Sequence, residues 1–278
     1  MQKLVLNEGI THMTNISINS FTDLSLVLSQ LDGPEFDHIF WKQIHGDAEA
    51  IVEFDELISE IEASKTWPRK LNWKKGRVLE DLAVFLFNRF QDVSVTKNKR
   101  PGDNETDIEA RFSEKAQPPF MLQNIGPKII CECKNKKSNS IDVGMVTKLA
   151  EIIPRRGANF GVFISILGMG GYAWRYGEGK RKKIMYSEQL PIISFTVDEL
   201  KSLRDGQNFY TMIREKYYAL VDEVDDETAD IPDQHHYEYK KRLKETLEHL
   251  LKCGIASEED YTRLYDNLLL KYGAIEDE

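Results

Sequence analysis

The apolar residues of this chain change their period along its length, and each change marks an element. From Asp47 to Ala63, Ile51, Phe54, Leu57, Ile58 and Ile61 recur at helical spacing. Phe21 to Leu31 has a similar pattern, and Asp32-Gly33-Pro34 separates the two pieces. Lys65 to Lys75, with Pro68, reads as a basic connector. Residues 76–90, GRVLEDLAVFLFNRF, predict a helix with one stripe of Leu79, Leu82, Ala83, Leu86 and Phe90. The period then drops to two. Val93 and Val95 predict a short strand, Lys97 to Glu105 is turn-like, and Asp107 to Phe112 alternates with Ile108, Ala110 and Phe112 inward. Pro118-Pro119 and Gly126-Pro127 mark a loop or ribbon excursion before a strand at Lys128 to Lys134. Asp142 to Ile153 predicts a helix stopped by Pro154 and Gly157. Phe160 to Leu167 predicts a buried strand, Lys182 to Glu188 a helix, and Ile192 to Val197 a last strand. Helix, three strands, helix, strand and strand predict an α/β protein with a mixed sheet and flanking helices.

The C-terminal stretch reads differently. Asp222 to Asp233 is acidic and predicts a linker. His235 to Cys253 predicts a helix with Tyr239, Leu243, Leu247, Leu250 and Leu251 on one side and Gly254 at its C-cap. Ser257, with Asp260 three residues on, starts a second apolar helix through Leu270. The resulting helical hairpin either packs on the core or contacts a partner, and the sequence leaves both open. The chain divides into an acidic helical region (1–66), a core (67–200) and a helical C-terminal region (201–278).

A length of 278 residues with 41% hydrophobic and 30% charged residues allows one large soluble domain with appendages. Charges interrupt every apolar run before it could span a bilayer, which argues against a membrane role. The start, MQKLVLNEGI, lacks the apolar core of a secretory signal. Three cysteines make no disulfide framework, so a cytoplasmic location is expected. The net charge of −9 would disfavour a nucleic-acid partner if it were evenly spread, but it is not. Residues 65–183 hold 24 Lys+Arg against 12 Asp+Glu, a balance of +12; residues 1–64 hold 2 against 12 and residues 184–278 hold 11 against 22. Local basic charge sets the attraction for a phosphate backbone.

The chemistry-bearing residues lie inside that basic segment. In Cys131-Glu132-Cys133-Lys134 the strand period puts Glu132 and Lys134 on one face. Asp107 opens the preceding strand, and Glu80 sits on the helix before it. Phosphodiester hydrolysis requires that phosphate charge be offset, a water be activated and the leaving oxygen be stabilised. A divalent ion held by two carboxylates serves the first and third needs. Mg²⁺, with Mn²⁺ as a substitute, suits Asp107, Glu132 and the Cys133 main-chain carbonyl, with waters and phosphate completing its shell. Lys134 would stand beside the water, and Glu80 would hold a second ion or orient a metal-bound water.

The ordered set Glu80, Asp107 in GDNETDIEARF and Glu132-x-Lys134 in IICECKNKK resembles the PD-(D/E)xK nuclease superfamily, with Mrr-type restriction endonucleases as the nearest look. The resemblance runs from Gly76 to about Leu200. It implies a restriction-endonuclease-like αβββαβ core, Mg²⁺-dependent cleavage of DNA, catalytic roles for Asp107, Glu132 and Lys134, and Glu80 as the helix acid. Two departures stand out. No proline precedes Asp107, which leaves Asp103 of Pro101-Gly102-Asp103 as a weaker candidate. The span from Asp107 to Glu132 also implies an insertion around Ala116 to Gly126.

Lys97, Lys99, Arg100, Lys136, Lys137, Arg175, Lys180, Arg181, Lys182 and Lys183 are the expected phosphate-contacting cations. Cys131 and Cys133 read as small buried side chains rather than metal ligands, because a Zn²⁺ site needs four ligands. His235-His236 reads as a solvated helix start. Gly168-Met169-Gly170-Gly171 lacks the ending of a phosphate loop and reads as a flexible loop. The sequence therefore predicts a Mg²⁺-dependent DNA endonuclease, with a role in restriction or defence against foreign DNA. The alternative is a non-catalytic nucleic-acid-binding or assembly module on the same fold. DNA is the expected partner. A homodimer, or a partner protein held by the C-terminal helices, is compatible with the hairpin.

Overall fold

The computed structural model describes residues 36–99, 106–113, 117–172, 175–225 and 238–275, with the isolated positions 20, 22, 23, 26 and 234. Most of Phe21 to Leu31, the Asp32-Gly33-Pro34 break, Arg100 to Glu105, Trp174 and His235-His236 lie outside the described residues, as does the side chain of Lys99.

Helix α1 (Ala48–Ser64) begins where Asp47 accepts a hydrogen bond from the Ala50 amide, and it buries Phe54 and Ile61 as its spacing predicts. Helix α2 (Asn72–Asn88) starts four residues before the expected Gly76. Pro68 introduces a single 3-10 turn at Arg69–Leu71, after which nothing prevents Asn72 to Lys75 from joining the helix. Leu79, Leu82, Ala83 and Leu86 of α2 are fully buried. Strand β1 (Val93–Lys99) runs further than its two valines predict, because its partner β2 (Thr106–Phe112) extends the pairing out to Lys99 opposite Thr106.

The excursion between β2 and β3 (Lys128–Lys134) is not an exposed loop. Residues 119–125 form a short wide helical turn whose Phe120, Met121 and Ile125 are buried. Helix α3 (Val143–Arg155) is capped by Asp142 and passes through Pro154 in its last turn before Gly157, at φ 61°, ends it. Strand β4 (Phe160–Ser165), helix α4 (Tyr176–Glu188) and strand β5 (Ile192–Thr196) complete the α/β unit. The sheet order is β1-β2-β3-β4-β5, antiparallel through β3 and parallel from β3 to β5. This is the mixed sheet expected of a restriction-endonuclease-like core.

Strand alternation divides the side chains between two apolar layers. Ile108, Ala110, Ile129, Cys131, Cys133, Val162 and Ile164 pack with α1 and α2, while Ile130, Phe163 and Ile192 pack with α3 and α4. Helix α5 (Phe209–Asp225) covers the first layer, burying Phe209, Tyr210, Ile213 and Leu220. It meets the helical turn of residues 119–125, where Phe120 packs edge-on against Tyr217 at 5.3 Å. Arg214 of α5 makes a two-pronged ion pair with buried Asp37, at 3.1 and 2.8 Å. Segments before β1 and after β5 thus close one continuous apolar layer from Trp41 to Leu220. The stretch expected as a linker from Asp222 is helical through Asp225, and residues 226–233 are not described.

Helices α6 (Tyr239–Lys252) and α7 (Glu258–Tyr272) form the predicted hairpin, with a reciprocal Ser257/Asp260 cap at the start of α7. Just before α6, the Glu238 carboxylate accepts from the Gly171 amide at 2.6 Å and pairs with Arg242 at 2.7 Å. The Gly168–Gly171 stretch is therefore packed, not a flexible loop. Met169 is buried and bridges to Ile141, and a side chain on Gly170 would come within 2.6 Å of the Ser140 hydroxyl. Its glycines allow close backbone approach. No helix among the described residues is long and apolar enough to cross a membrane.

Candidate active site

The site forms where two strands part. The β2–β3 ladder pairs Arg111 with Lys128 through to Ile108 with Cys131, and no pair follows Ile108. Strand β3 continues beside β4 as far as Lys134 opposite Ser165. The Cys133 amide therefore has no β2 carbonyl to reach. It donates instead to Oδ2 of Asp107 at 2.8 Å. A strand residue presents its N–H and C=O to the same side, so the Cys133 carbonyl also faces this opening.

Asp107 precedes Ile108, whose side chain is in the α2 layer, so Asp107 points to the α3 side. Glu132 and Lys134 point there too, because Cys131 and Cys133 fill the α2 layer. The Lys134 ammonium lies 2.9 Å from Glu132 Oε2 and 3.8 Å from Asp107 Oδ2. Glu132 is 5% exposed. Burial raises its pKa, the Asp107 charge raises it further, and Lys134 partly offsets both. For Lys134, burial alone would lower the pKa, but the charges of Glu132 and Asp107 outweigh it and raise it. Lys134 is therefore an ammonium at neutral pH, a donor and a positive charge rather than a base. The Cys133 thiol is pushed well up by its hydrogen bond with Cys131 and by burial, so it stays a thiol.

The donor set fits a hard divalent ion of low protein coordination. Two carboxylates lie within 4 Å of the Lys134 ammonium, and the Cys133 carbonyl faces the same opening. Among the described residues no group of three or more His, Cys, Asp or Glu side chains forms a ready metal cage. Glu80 lies against the α2 side of the sheet, near enough to Cys133 to raise its thiol pKa, and its carboxylate is 3.4 Å from Lys97. Asp107, Glu132 and Lys134 are brought together, and Glu80 stands behind Cys133.

The expected phosphate-contacting cations divide. Lys136, Lys137, Arg175 and Lys183 are exposed, and Lys180 is half-buried. Lys97 is committed to Glu80 and Asp81, the latter at 2.5 Å, and Arg181 to Glu178 at 2.6 Å. Lys182 is 2% exposed and does not belong to a surface patch. The cause is the early start of α4. Gly177 presses its first turn against the Ile141 and Gly170 backbone, and that phase turns Lys182 inward while Lys183 faces out.

Two residues near the site carry no signature of their own in the sequence. Asn135, directly after Lys134, donates to the Lys75 carbonyl at 2.8 Å and to the Ser64 hydroxyl at 3.1 Å, tying the start of α2 to the tip of β3. Lys148 of α3 lowers the Glu132 pKa from across the layer. An Asn beside Glu-x-Lys was the one available hint for the first; helical phase alone would have given the second.

Residues 73–192 match the family model Mrr_cat, described as restriction endonuclease. No curated protein matches the chain. The solved complex of MspJI restriction endonuclease with a 27-mer oligonucleotide is similar at 14% identity and a TM-score of 0.27. The match covers 85% of this chain and 43% of that one, so the chain spans less than half of that protein's length. The matched stretch contains α2, β1 to β4 and the parting strands that hold Asp107, Glu132 and Lys134. Residues 73–192 thus match a restriction-endonuclease family model, and their mixed sheet with flanking helices is consistent with a restriction-endonuclease-like fold.

Proposed function

We propose that this protein is a divalent-metal-dependent endonuclease that hydrolyses phosphodiester bonds of DNA, in restriction or defence against foreign DNA. One observation carries the reading: carboxylates from two strands, Asp107 and Glu132, meet a single lysine ammonium at the opening where those strands part. Asp107, Glu132 and the Cys133 carbonyl would hold Mg²⁺, with Mn²⁺ as substitute. When bound, the ion offsets phosphate charge and lowers the pKa of a coordinated water.

The chain's own residues supply the rest. The Cys133 amide fixes the Asp107 carboxylate before any ion arrives. Lys134, held as an ammonium, donates to the attacking oxygen or to a non-bridging phosphate oxygen and balances the charge developing there. Lys136 and Lys137, exposed just beyond β3, and Lys180 and Lys183 on α4 would track the phosphate backbone. Glu80, beside Cys133 and paired with Lys97, would hold a second ion or orient a metal-bound water.

The test is nicking of supercoiled plasmid by the full-length chain with Mg²⁺, Mn²⁺ or EDTA, alongside calorimetric titration of Mg²⁺ into wild type and Asp107→Ala. Cleavage with metal, none in EDTA, and weakened Mg²⁺ binding by the variant are expected. A chain that binds DNA but cuts none with either metal sinks the endonuclease reading.

A further inference from the structure

The connector between α1 and α2 is one of the most one-sided stretches of the chain. Residues 65–77, KTWPRKLNWKKGR, hold six Lys and Arg and no Asp or Glu. Two of the six are already paired within the protein, Lys65 with Glu62 at 2.6 Å and Lys74 with Glu60 at 3.0 Å. Arg69, Lys70 and Arg77 are exposed and Lys75 is half-buried, and none of the four has an acidic partner among the described residues.

Among these cations stands Trp73, in the first turn of α2, with 63% of its surface exposed. Its ring is neither core nor cover: the guanidinium of Arg77, one turn on, lies 5.5 Å from its centroid. Trp73, Gly76, Arg77 and Glu80 share one face of α2 by helical spacing. Gly76 is a second, independent anomaly. A glycine inside a helix costs about 1 kcal/mol relative to alanine. Nothing among the described residues demands one here, because an added side-chain carbon would meet only the Glu80 carboxylate at 3.7 Å, an ordinary contact. Among the described residues this strip of helix is bare beside an exposed indole.

The strip is tied to the end of the strand that carries the candidate active site. The Asn135 side chain binds the Lys75 carbonyl, and Asn135 follows Lys134 in the chain. Lys75 is two residues from Trp73, a rise of about 3 Å along the helix, so the end of α2 that carries the indole is held beside the end of β3 that carries Lys134.

We propose that the α2 face of Trp73, Gly76 and Arg77 is a docking track for an unpaired stretch of DNA leaving the active site. Trp73 stacks on a base, Gly76 lets the sugar-phosphate backbone lie close to the helix, and Arg77, Lys75, Lys70 and Arg69 follow its phosphates. The indole face turned away from Arg77 suits an unpaired base because every base offers a π-surface, whereas duplex bases are already stacked on one another. This inference rests on the nuclease reading above, but it adds a preference for splayed, overhanging or single-stranded flanks.

The test is fluorescence anisotropy with the full-length chain in EDTA, so that DNA is bound without metal-dependent cleavage. Two labelled probes of equal length are compared, a blunt duplex and a duplex with a single-stranded overhang. Wild type should bind the overhang probe more tightly. Trp73→Ala should lose about tenfold or more on the overhang probe and change little on the blunt one, and Trp73→Phe should recover most of the loss. Arg77→Ala should weaken the overhang probe more than the blunt one and lessen its salt dependence. Melting temperatures should match wild type, since Trp73 buries little surface. Equal binding of both probes by wild type and Trp73→Ala would overturn the docking track. If Trp73→Ala then still nicks plasmid, the endonuclease reading stands without the track. If wild type neither binds nor nicks DNA, both fail together.

Discussion

Replacing Lys134 with methionine keeps the bulk of the side chain and removes its charge, and its consequences follow from two distances. The ammonium is 2.9 Å from the Glu132 carboxylate and 3.8 Å from Asp107. At an effective dielectric of about 20, those separations correspond to gross attractions of about 6 and about 4 kcal/mol. Burying the ammonium cancels much of this, and in the variant Glu132 would take up a proton rather than remain an uncompensated buried charge. A net loss of about 1–3 kcal/mol at neutral pH is expected from breaking one side of a mostly buried pair. For a protein of this size that lowers the melting temperature by about 2–10 °C. The double variant Glu132→Gln/Lys134→Met should recover at least half of the loss, because a neutral amide no longer needs the ammonium. Millimolar Mg²⁺ should raise the melting temperature of Lys134→Met more than that of wild type, since the ion can then serve both carboxylates without displacing the ammonium. Plasmid nicking should fall by about 10²–10⁴-fold. The assays are circular-dichroism melts with EDTA or Mg²⁺ and timed nicking. A Lys134→Met protein that melts with wild type in EDTA and cuts within about twofold of its rate refutes the reasoning on both counts.

Glu132 sets the pH dependence of stability in the metal-free protein. Its folded pKa is raised by burial, so between the ordinary carboxylate value and that raised value the folded chain holds a proton the unfolded chain has released, and stability falls as pH rises through the window. Urea midpoints in EDTA should therefore favour Glu132→Gln increasingly as pH rises across it; a constant gap between the two proteins would show that Glu132 is not buried as described. Gly177→Ala should destabilise by about 1–3 kcal/mol, because the added carbon would lie 2.4 Å from the Ile141 carbonyl, whereas Gly46→Ala, with nothing within 4 Å, should show only the cost of its backbone angle. Equal melting temperatures for the two alanine variants would contradict the packing of the Gly168–Gly171 loop.

What the sequence makes legible depends on whether a period or a partner decides the outcome. The strand at Lys128–Lys134 is readable to the residue because alternation alone determines which side chains face which layer. The same rule places Glu132 and Lys134 together, and the antiparallel pairing of Ile108 with Cys131 carries Asp107 to their side. Glu80 shows the limit. Its helix and inward turn are readable from the leucine stripe, but its ion pair with Lys97, across on β1, depends on how far β1 extends, and the turn residues after Lys97 conceal this. Lys182 shows another. A run of Arg181-Lys182-Lys183 looks like a patch until the helix start is known, and that start is set by glycine contacts with a loop distant in sequence. The segment around Phe120 was hidden for a similar reason: its prolines signal a loop, while its burial is created by Tyr210 and Tyr217, about ninety residues later.

The parting of β2 from β3 explains why the candidate site sits where it does. An uninterrupted ladder would satisfy the Cys133 amide with a β2 carbonyl and leave Asp107 with no backbone partner. Because pairing is not continued past Ile108, a buried donor is exposed to the gap, and the nearest acceptor that can satisfy it is the Asp107 carboxylate. The hydrogen bond that compensates for the lost strand pair also fixes the direction of the carboxylate, close to Lys134 and Glu132. Preorganisation here costs no special loop or strained backbone. It follows from ending one strand pair two residues early while the parallel neighbour β4 keeps β3 straight through Lys134. The convergence of Asp107, Glu132 and Lys134 is a consequence of one interruption in the hydrogen-bond ladder.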